Sequence, residues 1–134
     1  MANALYPLWK AQLLQFTTNN NLSAGTVKVA LIDTGTYTYS AAHQFYSSAS
    51  AAAVGTPQTL TSKTFVTGIF DAADATFPTV TGPSVEALII YIDTGVAGTS
   101  PLVAYLDSSI TGLPVTPNGG NIGITWDATG IFAL

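Results

Sequence analysis

The chain has 134 residues, contains neither cysteine nor arginine, and has only 7% charged residues. Its length suits one domain that can bury a core, and disulfides and thiolate zinc sites are excluded. With Lys10, Lys28 and Lys63 as its only lysines and a net charge of −4, it has no basic cluster for nucleic acid or for an anionic membrane surface.

Ordinary globular chains are about 25% charged. Here hydrophobic residues reach 48% and mean hydropathy is +0.41, which argues against disorder. A surface so poor in charge points to cover by neighbouring subunits. Residues 1–7 carry no basic stretch ahead of an apolar one, so no targeting segment is read there. The longest aliphatic run, Val85 to Ile92, contains Glu86 and is too short to span a bilayer. The expectation is a soluble product of the cytoplasm with no membrane partner.

In chain order, Leu5, Trp9, Leu13 and Phe16 fall at helical spacing, and Pro7 stands where a helix start tolerates it. The spacing predicts an N-terminal helical segment over residues 1–16, ended by Asn19-Asn20-Asn21. Val27 to Ile32 reads as a strand, and Thr36 to Tyr39 as a short alternating one. Ser40 is placed to cap a brief helix carrying His43, Phe45 and Tyr46. The Ala/Ser-rich run from Ser47 to Val54 reads as a surface loop or frayed helix.

Strand signals then come at regular spacing: Thr59 to Thr67, Ala75 to Val80 with Pro78 inside it, Val85 to Ile92, and Leu102 to Leu106. Pro117 to Asn121, with Gly119-Gly120, reads as a hairpin turn. Ile122, Ile124 and Trp126 alternate after it, and Ile131 to Leu134 ends the chain apolar. Seven or eight short strands predict a mainly β, single-domain sandwich, barrel or jelly roll with a short N-terminal helix.

Four features invite a chemical reading. Asp33-Thr34-Gly35 and Asp93-Thr94-Gly95 each follow an apolar strand, the pattern that a paired-carboxylate protease brings together. The same tripeptide is also a common strand-ending turn, which is the reading preferred here. Asp71 and Asp74 offer oxygens for calcium but lack EF-hand spacing. His43 is the one histidine, and no G-x-S-x-G elbow accompanies it. Trp9, Tyr37, Tyr39, Phe45, Tyr46, Tyr91, Tyr105 and Trp126 are numerous enough to line a sugar-stacking face, though core and subunit contacts use the same residue types. No enzyme, cofactor or metal site is expected.

The stretches MANALYPLWKAQLLQ, VKVALIDTGTYTYSAAHQF, GTPQTLTSKT, FDAADATF, TGPSVEALIIYIDTG, TSPLVAYLD and GLPVTPNGGNIGITWD together span nearly the whole chain. On them the chain resembles small virion structural proteins of tailed bacteriophages, of the capsid decoration or cement type. The resemblance implies a jelly-roll-like subunit of the virion that forms homotrimers and binds the major capsid protein. Tail or baseplate proteins are alternative partners, and a carbohydrate-binding host-attachment module is an alternative role. Leu5, Trp9, Leu13, Phe16, Phe45 and Tyr46 are the expected partner contacts, together with the stretch 47–55.

Overall fold

The computed structural model describes residues 3–15 and 20–134. It is a mainly β domain with one short helix, as expected. The elements are β1 (Ala4–Leu5), α1 (Pro7–Gln15), β2 (Thr26–Ile32), β3 (Ala53–Thr59), β4 (Ile69–Phe70), β5 (Ala75–Phe77), β6 (Ala87–Asp93), β7 (Leu102–Leu106), β8 (Ile122–Ile124) and β9 (Phe132–Ala133). Five strands form one antiparallel sheet in the order β1-β7-β6-β2-β3, and β4-β9 and β5-β8 form two small ribbons. Among the described residues, no helix is long and apolar enough to cross a membrane.

The central strands explain themselves by composition. β6 is almost uniformly aliphatic, and every residue from Ala87 to Ile92 is buried. Such a strand must be covered on both faces. Each fully buried aliphatic side chain contributes about 1.5–3 kcal/mol, so β6, β2 and β7 form the energetic centre. Alternation assigns Ala87, Ile89 and Tyr91 to one face with Lys28, Ala30 and Tyr105; Leu88, Ile90 and Ile92 take the other with Val27, Val29, Leu31 and Ala104. On the first face Tyr46 stacks on Tyr91 and Tyr39 tilts against Tyr105, so irregular chain between β2 and β3 supplies the cover. On the second face Phe132 of β9 packs edge-on against Trp9 of α1 and lies beside Leu5 and Leu106.

Several local expectations are corrected. The helix spans Pro7–Gln15, while Leu5 is a strand residue paired with Ala104 at the sheet edge. Phe16 lies outside the described residues. Thr36 to Tyr39 is no strand, because the Thr36 and Tyr37 N–H groups turn back onto the Asp33 carbonyl. Around Ser40 there is a turn and no helix: the His43 N–H bonds the Ser40 carbonyl, and the Ala42 N–H bonds the Ser40 hydroxyl. The Ala/Ser-rich run folds into 3-10 turns at Tyr46–Ser48 and Ser50–Ala52 and then enters β3; Ala49 and Ala52 are small enough to be buried against the core.

β3 stops at Thr59, so the strand expected over Thr59 to Thr67 does not form. Where it crosses β2, the three residues Gly55 to Pro57 oppose Ala30 alone. Pro57 has no N–H for the ladder and Gly55 takes φ +72, so the strand bulges there. β5 ends at Phe77, immediately before Pro78. Pro117 to Asn121 does not close a hairpin, since β8 pairs with the distant β5. Its Gly119 N–H and Gly120 carbonyl instead bond Val80.

Candidate functional site

The six expected contact residues do not form one surface. Leu5 is half-buried at the sheet edge, Trp9 is only 1% exposed, and Leu13 is half-buried in the wall of a groove. Phe45 and Tyr46 sit across the sheet, where Phe45 bridges to Pro101. The rings of Tyr46 and Tyr91 stack at 3.9 Å with an interplanar angle of 6°. Trp9 and Tyr46 are thus committed to this chain's own core.

What stays exposed is a different apolar set. Leu14 is 84% exposed, Leu134 72%, Val66 69%, Val96 60%, Phe65 43% and Leu8 36%. Phe65 and Leu134 line a groove of about 290 Å³ with Leu13, Leu22 and Trp9, and it opens beside α1. An adjoining groove continues along Ile69, Phe70 and Phe132. Among the described residues no charged side chain lines either groove. The tip that carries Phe65 and Val66 is sharply turned, with Thr67 at φ 53 and Gly68 at φ 77. Sequence reading missed Phe65 and Val66 by assigning them to a strand; the Thr67-Gly68 pair after them was the available signal of a turn.

The two Asp-Thr-Gly segments are strand-ending turns. Asp33 Oδ1 accepts from the Gly35 N–H at 2.8 Å, and Asp93 Oδ1 from the Gly95 N–H at 2.9 Å. Asp93 Oδ2 also pairs with Lys28 Nζ at 2.9 Å. The Gly95 N–H, followed by Lys28, holds the Asp93 carboxyl below its ordinary value. Thr34 and Thr94 differ in partner: the Thr34 N–H and hydroxyl both donate to Glu86 Oε1, while the Thr94 N–H donates to the Ser100 hydroxyl.

The remaining acids are also tied down. Asp74 Oδ1 accepts from the Trp126 N–H, and Asp71 Oδ1 from the Ala72 N–H. Asp127 Oδ1 accepts from the Thr129 N–H and hydroxyl, and Asp107 Oδ1 from the Ser108 hydroxyl. Among the described residues no three His, Cys, Asp or Glu side chains gather where they could hold a metal. Asp71 and Asp74 therefore serve the chain's backbone.

The aromatic residues form an internal cluster. The Tyr6 and Tyr37 hydroxyls are 2.8 Å apart, and the Tyr37 hydroxyl is 2.9 Å from His43 Nδ1. Tyr39 and Tyr105 complete the group. Burial raises the Tyr6 and Tyr37 hydroxyls, and it pushes Tyr105, with Asp107 beside it, up to about 12. Of the eight aromatic residues considered for sugar stacking, Trp9, Tyr37, Tyr46, Tyr91, Tyr105 and Trp126 are buried. Tyr39 and Phe45 are half-buried.

No protein-family model matches the chain, and no curated protein is found to be similar to it.

Proposed function

We propose that this chain is a structural subunit of a tailed-bacteriophage virion, a capsid decoration protein that works by assembly. The observation that carries the reading is the apolar groove lined by Trp9, Leu13, Leu22, Phe65 and Leu134, in which no charged side chain stands among the described residues. Scattered exposed apolar residues are normal, but a contiguous set beside an apolar groove is what a subunit neighbour covers. Low overall charge supports it, because few ions lose their water when like copies meet. The partners in this reading are other copies of the chain, as a homotrimer, and the major capsid protein. Many weak contacts on an assembled shell then add through multivalency.

Quantitative mass spectrometry of purified virions tests the placement. One copy per major capsid subunit, or a simple fraction of that, is the expected result. A ratio of a few per cent would move the protein to the tail or baseplate. The variant Val66→Ser, at a residue 69% exposed, tests the surface: it should bind particles more weakly with a nearly unchanged melting temperature.

A further inference from the structure

Among the chain's asparagines only Asn118 is followed by glycine; the others precede Ala4, Asn20, Asn21, Leu22 and Ile122. That pairing carries chemistry. The main-chain nitrogen after an asparagine can attack the side-chain amide carbon, and a side chain on the following residue hinders the approach. Glycine has none, and its backbone turns freely. Asn118 is exposed, so solvent reaches its amide.

The fold holds this pair at the end of the β5–β8 ribbon. The Gly119 N–H donates to the Val80 carbonyl at 2.8 Å, and the Val80 N–H donates to the Gly120 carbonyl at 3.0 Å. Asn118 Oδ1 accepts from the Gly120 N–H at 2.9 Å, and Asn121 Oδ1 from the Thr79 N–H at 3.2 Å. Val80 is buried in the core, which fixes the far side of the pairing. Attack requires the Gly119 nitrogen to give its hydrogen to a base. That hydrogen is bonded to a carbonyl oxygen, which accepts a hydrogen bond but takes no proton at ordinary pH. The Asn118 side chain is meanwhile engaged with the nitrogen of Gly120, one residue beyond the one that would attack it.

We propose that Asn118 is the chain's site of spontaneous deamidation, and that the pairing with Val80 keeps it dormant until the loop lifts away. The step balances with water as the sole co-reactant. Gly119 N bonds to Asn118 Cγ, the Cγ–Nδ2 bond breaks, and ammonia leaves with the hydrogen that Gly119 gave up. Water then opens the succinimide at either carbonyl, to aspartate or to isoaspartate. Isoaspartate lengthens the main chain by a methylene and places a carboxylate where the peptide carbonyl stood. Gly119 and Gly120 then no longer meet Val80 in register, so the loop is a latch that opens once.

Incubation of the intact protein in mildly alkaline buffer, folded and in guanidinium chloride, tests this, with peptide mapping to separate asparagine, aspartate and isoaspartate. In the denaturant Asn118 should convert faster than every other asparagine. In the folded protein its conversion should be roughly tenfold slower or more, the equivalent of one hydrogen bond that opening must break. Hydrogen exchange removes the same Gly119 hydrogen through the same opening, so protection at that amide should match the slowing. Asn121→Ala, which loses the bond to Thr79, should convert faster when folded and at the wild-type rate when unfolded. Equal rates in folded and unfolded wild type, slowing without protection at Gly119, or a denatured chain in which Asn118 reacts no faster than the other asparagines would each overturn the proposal.

Discussion

Asp33 and Asp93 close adjacent antiparallel strands and therefore stand at opposite ends of the sheet. Thr26 is opposite Asp93, and Asp33 follows Ile32 at the far end of the same strand. The offset along β2 is about 23 Å at a rise of ~3.3 Å per residue. Two carboxylates so placed share no proton, so Asp33 and Asp93 of one chain do not form a dyad. Each Asp instead fixes its own turn, and Asp93 adds the ion pair with Lys28.

Replacing Asp93 should separate these two roles. Asp93→Asn keeps an oxygen for the Gly95 N–H and loses the ion pair, at a cost of about 0.5–1 kcal/mol. Asp93→Ala loses both and should cost about 1–2 kcal/mol. The folded protein holds this carboxyl below its unfolded value. Its contribution is therefore complete above the ordinary carboxylate range and disappears as pH falls through the lowered folded value. Urea unfolding at neutral and acidic pH reads both effects, and identical costs for the two variants would contradict the division.

Trp9 packs deep in the core while its indole N–H finds no partner among the described residues. Removing a partnerless donor compensates for lost volume. Trp9→Phe should thus lie within about 1.5 kcal/mol of wild type. Trp9→Ala should cost about 3–5 kcal/mol through the cavity it leaves. Equal destabilisation by the two variants, measured by chemical unfolding, would show that the N–H is satisfied.

Lys63 acts as a staple. Its ammonium donates to the carbonyls of Leu22 at 2.7 Å and Gly25 at 2.8 Å, with that of Ser23 at 3.4 Å. A compact ammonium with three donors matches this arrangement, and a planar guanidinium does not. Lys63→Met keeps most of the stem and should cost about 1.5–3 kcal/mol. Lys63→Arg should restore little of that in thermal unfolding.

The tyrosines predict failure in strong alkali. Burial raises Tyr6, Tyr37, Tyr46, Tyr91 and Tyr105 in the folded state. Their contribution is fully present below the unfolded value near 10 and is lost as pH rises above it. Ionisation should appear in ultraviolet titration as one steep step that coincides with loss of circular dichroism. A gradual titration with the fold intact would show that the hydroxyls are open to solvent.

The central strands were legible because burial on both faces leaves an unbroken aliphatic signature, as from Val85 to Ile92. The bounds of β7 at Leu102 and Leu106 were read correctly for the same reason. The pairing of β8 with β5 was not legible. Gly119-Gly120 is local evidence for a turn but does not say which strands the turn serves. Thr36 to Tyr39 alternates like a strand, yet Asp33 captures the chain in a turn and tyrosine side chains, not a ladder, attach it to the sheet. The exposed set was misread because helical spacing pointed to Trp9, which the core takes. Phe65 and Val66 looked like strand interior, and only the fold shows them at a turned tip.

Every one of the seven carboxylates accepts a hydrogen bond from a nearby N–H or hydroxyl. The acids thus punctuate the backbone as well as charge the surface. Short hydrogen bonds of this kind are little affected by mobile ions, whereas exposed charges farther apart than about 10 Å are screened at ~0.1 M salt. Hydrogen bonding leaves the net charge of −4 in place. Like copies therefore repel at long range, and their assembly should strengthen as added salt screens that repulsion.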